Sequence, residues 1–145
     1  MLEEILQFTA HHWVLCSALV LTLALLYWEE TKNKVGGLRL SLSDATNLIN
    51  HQHAILIDLR DATAFDSGHI VNALNFPQTD IMNSLEKLKK YQNKPIILVD
   101  NAGQQANAMA NKLLNQGFSK TYCLAGGLRT WLSAGLPLAK GGNKK

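Results

Sequence analysis

The chain has 145 residues, room for one compact domain and an appendage but not for two domains. Hydrophobic residues make up 47% and charged residues 17%, and the apolar ones crowd into the first thirty positions, leaving a soluble-type stretch of about a hundred residues behind them. A net charge of +3, with no basic stripe interleaved with aromatics, argues against nucleic acid. Two cysteines, Cys16 and Cys123, with no CxxC pair or His/Cys cluster, leave no basis for a disulfide framework or a metal site, and a reducing compartment fits.

Trp13 to Trp28 is uncharged throughout and spans ~24 Å as a helix, short of the ~30 Å hydrocarbon core. Extended back to Ile5 it becomes a 24-residue stretch, long enough to cross, with Trp13 and Tyr27-Trp28 placed as interfacial aromatics. The sequence therefore predicts one transmembrane helix over about 5–28 within an anchor of residues 1–34. A cleaved signal peptide competes, but Glu3-Glu4 is a poor n-region and Tyr27-Trp28-Glu29-Glu30 a poor cleavage site. A buried core helix would be apolar along one stripe rather than all round. His11 and His12, as neighbours, point to different faces and read as an interfacial pair, not as metal ligands. Ser17, Ala18 and Thr22 offer small or polar helix contacts, a weak signal. Lys32, Lys34 and Arg39 follow the span, so the N-terminus is expected outside and the domain in the cytoplasm, at the inner membrane of a bacterial-type cell. Val35-Gly36-Gly37 is a brief flexible joint.

Leu38–Leu40 is a candidate edge strand, and Ser43 a candidate cap for a helix over Asp44–Asn50. Ala54–Leu59 is a β-branched run suited to a buried parallel strand, with Asp58 bonding nearby loop backbone. Asp61–Phe65 is a short helical turn closed by Ser67-Gly68, and Ala73–Phe76 a strand stopped by Pro77. Ile81, Leu85 and Leu88 suggest a helix reaching Tyr91. Pro95–Val99 is the clearest central strand, Asp100–Gly103 a turn, and Gln104–Gln116 a helix ended by Gly117. Thr121–Leu124 is a further strand, and Leu128–Ala134 a helix stopped by Gly135-Leu136-Pro137. Residues 139–145 read as a flexible basic tail. Strands alternating with helices predict an α/β domain with a mainly parallel sheet, whose ligand site lies beyond the strand C-termini. That puts the Val99–Asn107 loop in focus.

Three segments together resemble the rhodanese (sulfurtransferase) family. Asp58-Leu59-Arg60, Phe65 and Gly68-His69-Ile70-Val71-Asn72-Ala73-Leu74-Asn75-Phe76-Pro77 match a D-x-R…F…GHI-x-GA-x-N-x-P pattern, except that Asn72 stands where Gly is usual. Ile96–Val99 leads into a loop with Gly103, and Leu124-Ala125-Gly126-Gly127…Trp131…Ala134-Gly135-Leu136-Pro137 matches the family's ending. The resemblance covers residues 38–138 and implies a rhodanese-like three-layer fold with no cofactor and no metal. It makes Asp58, Arg60, Gly68, His69, Pro77, Gly126, Gly127 and Trp131 structural signature residues, His69 holding a loop through Asp58.

Active members resemble C-x-x-G-x-R-[SA] at the loop, where a thiolate takes a sulfane sulfur and backbone N–H groups stabilise the persulfide. Here the loop reads Asp100-Asn101-Ala102-Gly103-Gln104-Gln105-Ala106. Asp100 holds the nucleophile's place and Gln105 that of a substrate-binding Arg. A carboxylate carries no persulfide and repels an anionic substrate, so no catalytic residue is expected. Asp100 is expected to cap the following helix; as a phosphoryl-transfer nucleophile it has no second carboxylate and no Lys beside it. Cys123, on the next strand, is no substitute. The expectation is an inactive module that binds an unidentified membrane or cytoplasmic protein, with lipid held by the N-terminal helix. Residual sulfurtransferase or sulfur-carrier activity, and anion sensing, are the competing readings.

Overall fold

The computed structural model describes residues 1–34 and 38–142, with side chains for residues 1–28 and 39–142. The joint at 35–37 and the last three tail residues lie outside the described residues. The chain divides into two units, Met1–Val35 and Gly36–Lys145.

In the first unit, helix α1 (Leu2–His11) is followed by α2 (Trp13–Lys34). The expected single span over 5–28 is not one helix. His12 departs from helical geometry (φ −118°, ψ 33°), and the two helices meet at 90°. Among the described residues no single helix is long and apolar enough to cross a membrane; the bent pair passes that test only together. An uncharged run reports composition and says nothing about backbone continuity, which is why the break was not visible in the sequence.

The second unit is built on a five-stranded parallel sheet. Its strands are β1 (Leu38–Leu40), β2 (Ile55–Asp58), β4 (Leu74–Asn75), β5 (Ile96–Val99) and β6 (Thr121–Leu124), in the order β1-β6-β5-β2-β4. β5 is central and all four of its residues are buried, as a β-branched apolar run covered on both faces should be. Alternation along the strands sorts the core into two layers. Ile57, Leu98 and Cys123 face the layer under α6 (Gln104–Asn115), with Met109 and Leu113. Leu56, Ile97, Val99 and Leu124 face the other, under α3 (Leu42–Gln52), α4 (Ala62–Ser67) and α7 (Gly127–Ser133), with Phe65 and Trp131.

Ser41, not Ser43, caps α3: its hydroxyl accepts the Asp44 N–H at 3.1 Å, and the helix starts at Leu42. Both serines fit a cap two residues apart, and the end of β1 at Leu40 selects the first. The 81–91 segment divides into a 3₁₀ turn (Ile81–Ser84), the single α-turn α5 (Leu85–Leu88) and a second 3₁₀ turn (Lys89–Tyr91). Two short strands were not foreseen. β3 (His69–Ile70) pairs antiparallel with β7 (Leu138–Ala139), and the Gly141 N–H donates to the Asp66 carbonyl at 2.9 Å. The first part of the expected tail is thus held against the domain.

Candidate functional site

β5 delivers Asp100 to the C-terminal edge of the sheet, between its neighbours β2 and β6. The side chain does not point to solvent; Asp100 is only 4% exposed. Its Oδ1 accepts the Gly103 N–H at 2.5 Å and its Oδ2 accepts the Gln105 N–H at 3.0 Å. Gly103, at φ 88°, is the residue that turns the loop into α6. A carboxylate here answers orphan helix N–H groups and the positive end of the helix dipole. The anionic group of this loop is therefore built into the chain.

The loop rests on the turn that opens α7. The Asp100 carbonyl accepts the Leu128 N–H at 2.8 Å, and the Asn101 carbonyl accepts the Arg129 N–H at 3.2 Å. Gly127, at φ 58°, allows this approach, because a Cβ there would stand 2.3 Å from the Asp100 carbonyl oxygen. Gly126 is equally constrained: a Cβ would lie 1.9 Å from Thr130 Oγ1. Gly127 is thus tied to the loop by backbone contact, whereas Gly126 is hemmed in by the Thr130 side chain of its own turn. Asn101, Ala102, Gln104 and Gln105 are exposed, so the rim is neutral amide and methyl, with no cation at the position of Gln105.

Asp58 and Arg60 form a second, separate cluster. Arg60 grips the buried carboxylate through Nε (3.0 and 3.1 Å) and Nη2 (2.6 Å), and Nη2 also donates to the Gly68 carbonyl at 2.8 Å. The Arg60 N–H adds a bond to Asp58 Oδ1 at 3.0 Å. His69 does not reach Asp58, contrary to expectation, because Arg60 occupies that carboxylate. Its Nδ1 instead lies 2.8 Å from the Phe65 carbonyl oxygen, and its ring stacks on Phe65 at 3.7 Å. Asn75, quoted in the signature without a role, donates to the carbonyls of Asp58 (3.2 Å) and Arg60 (2.8 Å) and ties β4 to the turn. The register that sets Asn75 beside Asp58 joins residues 17 apart, so only its recurrence in the signature pointed to it. Pro77 stops β4 and its carbonyl accepts the Asp80 and Ile81 N–H groups. Trp131 is core, its Nε1 donating to the Pro137 carbonyl at 3.1 Å. Asn72 takes the left-handed conformation (φ 64°) that favours Gly, which Asn tolerates.

Cys123 is fully buried, its Sγ 3.7 Å from Asn107 Oδ1. Burial pushes the thiol above its usual range; nearby Arg39 pulls it down and the Asp100 charge pushes it up again. A thiol held protonated is a poor nucleophile. Among the described residues no group of three or more His, Cys, Asp and Glu is arranged to hold a metal. A cleft of about 860 Å³ lies elsewhere, at the free side of β4; Leu74, Phe76, Lys87 and Tyr91 line it and no residue of the 100–105 loop does.

Comparison with known proteins fits this geometry. The family model for the rhodanese-like domain matches residues 41–134. YibN of Escherichia coli (strain K12) is 32% identical over 142 residues, covering 97% of this chain and 99% of that protein. The thiosulfate sulfurtransferase GlpE of Coxiella burnetii (strain RSA 331) is 30% identical over 93 residues, covering 64% of this chain and 85% of GlpE. Among solved structures, a rhodanese-related protein from Thermoplasma volcanium superposes with a TM-score of 0.63 at 20% identity, over 70% of this chain and 97% of the other.

Proposed function

The chain belongs to the rhodanese-like domain family, and from that premise we propose that it is a membrane-anchored binding module without sulfurtransferase activity. One observation carries the reading: the Asp100 carboxylate occupies the backbone donors that a persulfide would need, at the position where a nucleophilic thiol would stand. The side chain supplies charge but no sulfur, and Gln105 leaves thiosulfate without a guanidinium partner. Cys123 faces the core rather than the loop's exterior.

Thiosulfate:cyanide sulfurtransfer by the full chain in detergent tests this. Sulfane sulfur would pass to a thiolate with release of sulfite, then to cyanide as thiocyanate. The unaltered protein is expected to give no turnover above buffer. Asp100→Cys is expected to gain activity, and Asp100→Cys with Gln105→Arg more. Turnover by the parent that vanishes in Cys123→Ser would establish the sulfurtransferase reading instead.

The binding role rests on the exposed rim of the loop, set on a rigid turn. A photo-crosslinking residue at Gln104, activated in cells, is expected to give discrete adducts in the membrane fraction. The same residue placed at exposed Ser133 should not give those adducts. Identical patterns at the two sites would reject a loop-directed partner.

Membrane anchorage is favoured by α2, whose large side chains from Val14 to Trp28 stand exposed all round. The hydroxyls of Ser17 and Thr22 are satisfied by the carbonyls of Val14 (2.9 Å) and Leu19 (2.8 Å), leaving little polarity to bury in lipid. The positive residues after the span favour a cytoplasmic domain at the inner membrane. In a Cys16→Ser background, Ser133→Cys should resist a membrane-impermeant maleimide in intact cells and react after lysis. Labelling before lysis would place the domain outside.

A further inference from the structure

We propose that α1 lies in the plane of the membrane interface, and that the elbow at His12 is where the chain turns from resting on the bilayer to entering it. The proposal rests on the anchor reading above and replaces its single continuous span: α2 then enters alone, its 22 residues measuring ~33 Å, so that the ~24 Å apolar run from Trp13 to Trp28 is met by local thinning of the bilayer and the remaining turns reach the headgroups.

The two helices differ in pattern as well as direction. At about 100° per residue, Glu3, Glu4, Gln7 and His11 fall within one polar arc of α1. Leu2, Ile5, Leu6, Phe8, Thr9 and Ala10 fill the rest, and the four large apolar side chains are 61–78% exposed. α2 has no such division between Trp13 and Trp28. A helix with one charged stripe and one apolar face suits an interface, whereas a helix apolar on every side suits the hydrocarbon. The pattern changes at His12, the residue at which the axis turns by 90°.

The one hydroxyl in the apolar arc supports the same placement. Thr9 Oγ1 bonds back to the carbonyls of Ile5 and Leu6, each at 3.0 Å, so that face carries no unsatisfied donor. At the turn the Phe8 and His12 rings meet at 4.8 Å, and the His12 N–H still bonds the Phe8 carbonyl at 3.0 Å. If α1 continued into the hydrocarbon, Gln7, His11 and His12, which fall inside the 5–28 stretch, would enter a medium that disfavours polar side chains. Lying flat, the helix keeps its polar arc in water. Its polar face is acidic, so attachment comes from apolar area and not from attraction to anionic lipid.

Nitroxide scanning of the full chain in phosphatidylcholine vesicles, with and without phosphatidylglycerol, tests the placement. In a Cys16→Ser/Cys123→Ser background, single cysteines replace residues 3–11 one at a time, with Leu21→Cys as a depth marker. Collision with oxygen reports lipid, and collision with a water-soluble nickel chelate reports solvent. An in-plane helix gives a 3.6-residue oscillation about constant depth: oxygen maxima at 5, 6 and 9, nickel maxima at 3, 7 and 11, in both lipid mixtures. A steady rise in depth from 3 to 11, or uniform exposure to nickel, overturns the in-plane helix while a lipid-exposed Leu21 site preserves the anchor. A solvent-exposed Leu21 site, with the protein left unbound, overturns both.

Discussion

Asp58 and Arg60 carry the largest electrostatic stake in the domain, since their side chains are 2% and 8% exposed. Two ions so far from water survive only when paired and otherwise bonded, and here both carboxylate oxygens and the guanidinium fork are engaged. Removing one partner strands the other. Arg60→Ala is therefore expected to cost about 3–5 kcal/mol, read as a lowered urea midpoint by circular dichroism. Arg60→Lys should recover only part, because an ammonium lacks the fork that reaches Asp58 and Gly68 together. A midpoint unchanged in Arg60→Ala would show the pair to be energetically idle. Asp100 differs in kind. Its charge is met by backbone N–H groups, so it completes a turn without needing a cation. The sequence identified both acids by position but paired His69 with Asp58 instead of the Phe65 carbonyl, because nothing in a string of residues says that Arg60, two positions on, folds back first.

Elements were legible where composition was concentrated. β5 and β6 could be located from Ile96–Val99 and Thr121–Leu124 because buried parallel strands consist of such runs. The turn into α6 could be located from Gly103, and the end of that helix from Gly117, each at positive φ. The site loop was legible for the same reason, being bracketed by a strand and a glycine. β3 and β7 were not legible. Each has two residues, too few to show a period, and the pairing joins His69 to Ala139 across most of the domain. The elbow at His12 escaped because hydropathy averages over a window and carries no backbone angle. The lysine-studded segment after Ile81 keeps the apolar spacing of a helix, yet it is built largely of 3₁₀ turns.

At the scale of the whole molecule the sheet order has kinetic content. β2 and β5 pair Ile57 with Leu98, whereas β1 and β6 pair Leu40 with Leu124, 84 residues further on. Pairs close in sequence form early and distant ones late. Leu98→Ala, at the centre of the sheet, is expected to slow folding; Leu40→Ala, on the edge, is expected chiefly to speed unfolding. Stopped-flow chevrons distinguish the two, and a slowed folding limb for Leu40→Ala would contradict that order. The same arrangement bears on how the chain is made. Synthesis delivers the two apolar helices before β1, and at roughly 5–20 residues per second β6 follows about 4–17 s later. Throughout that interval β1 lacks its partner strand, so the apolar helices meet their surroundings before the domain has the means to close.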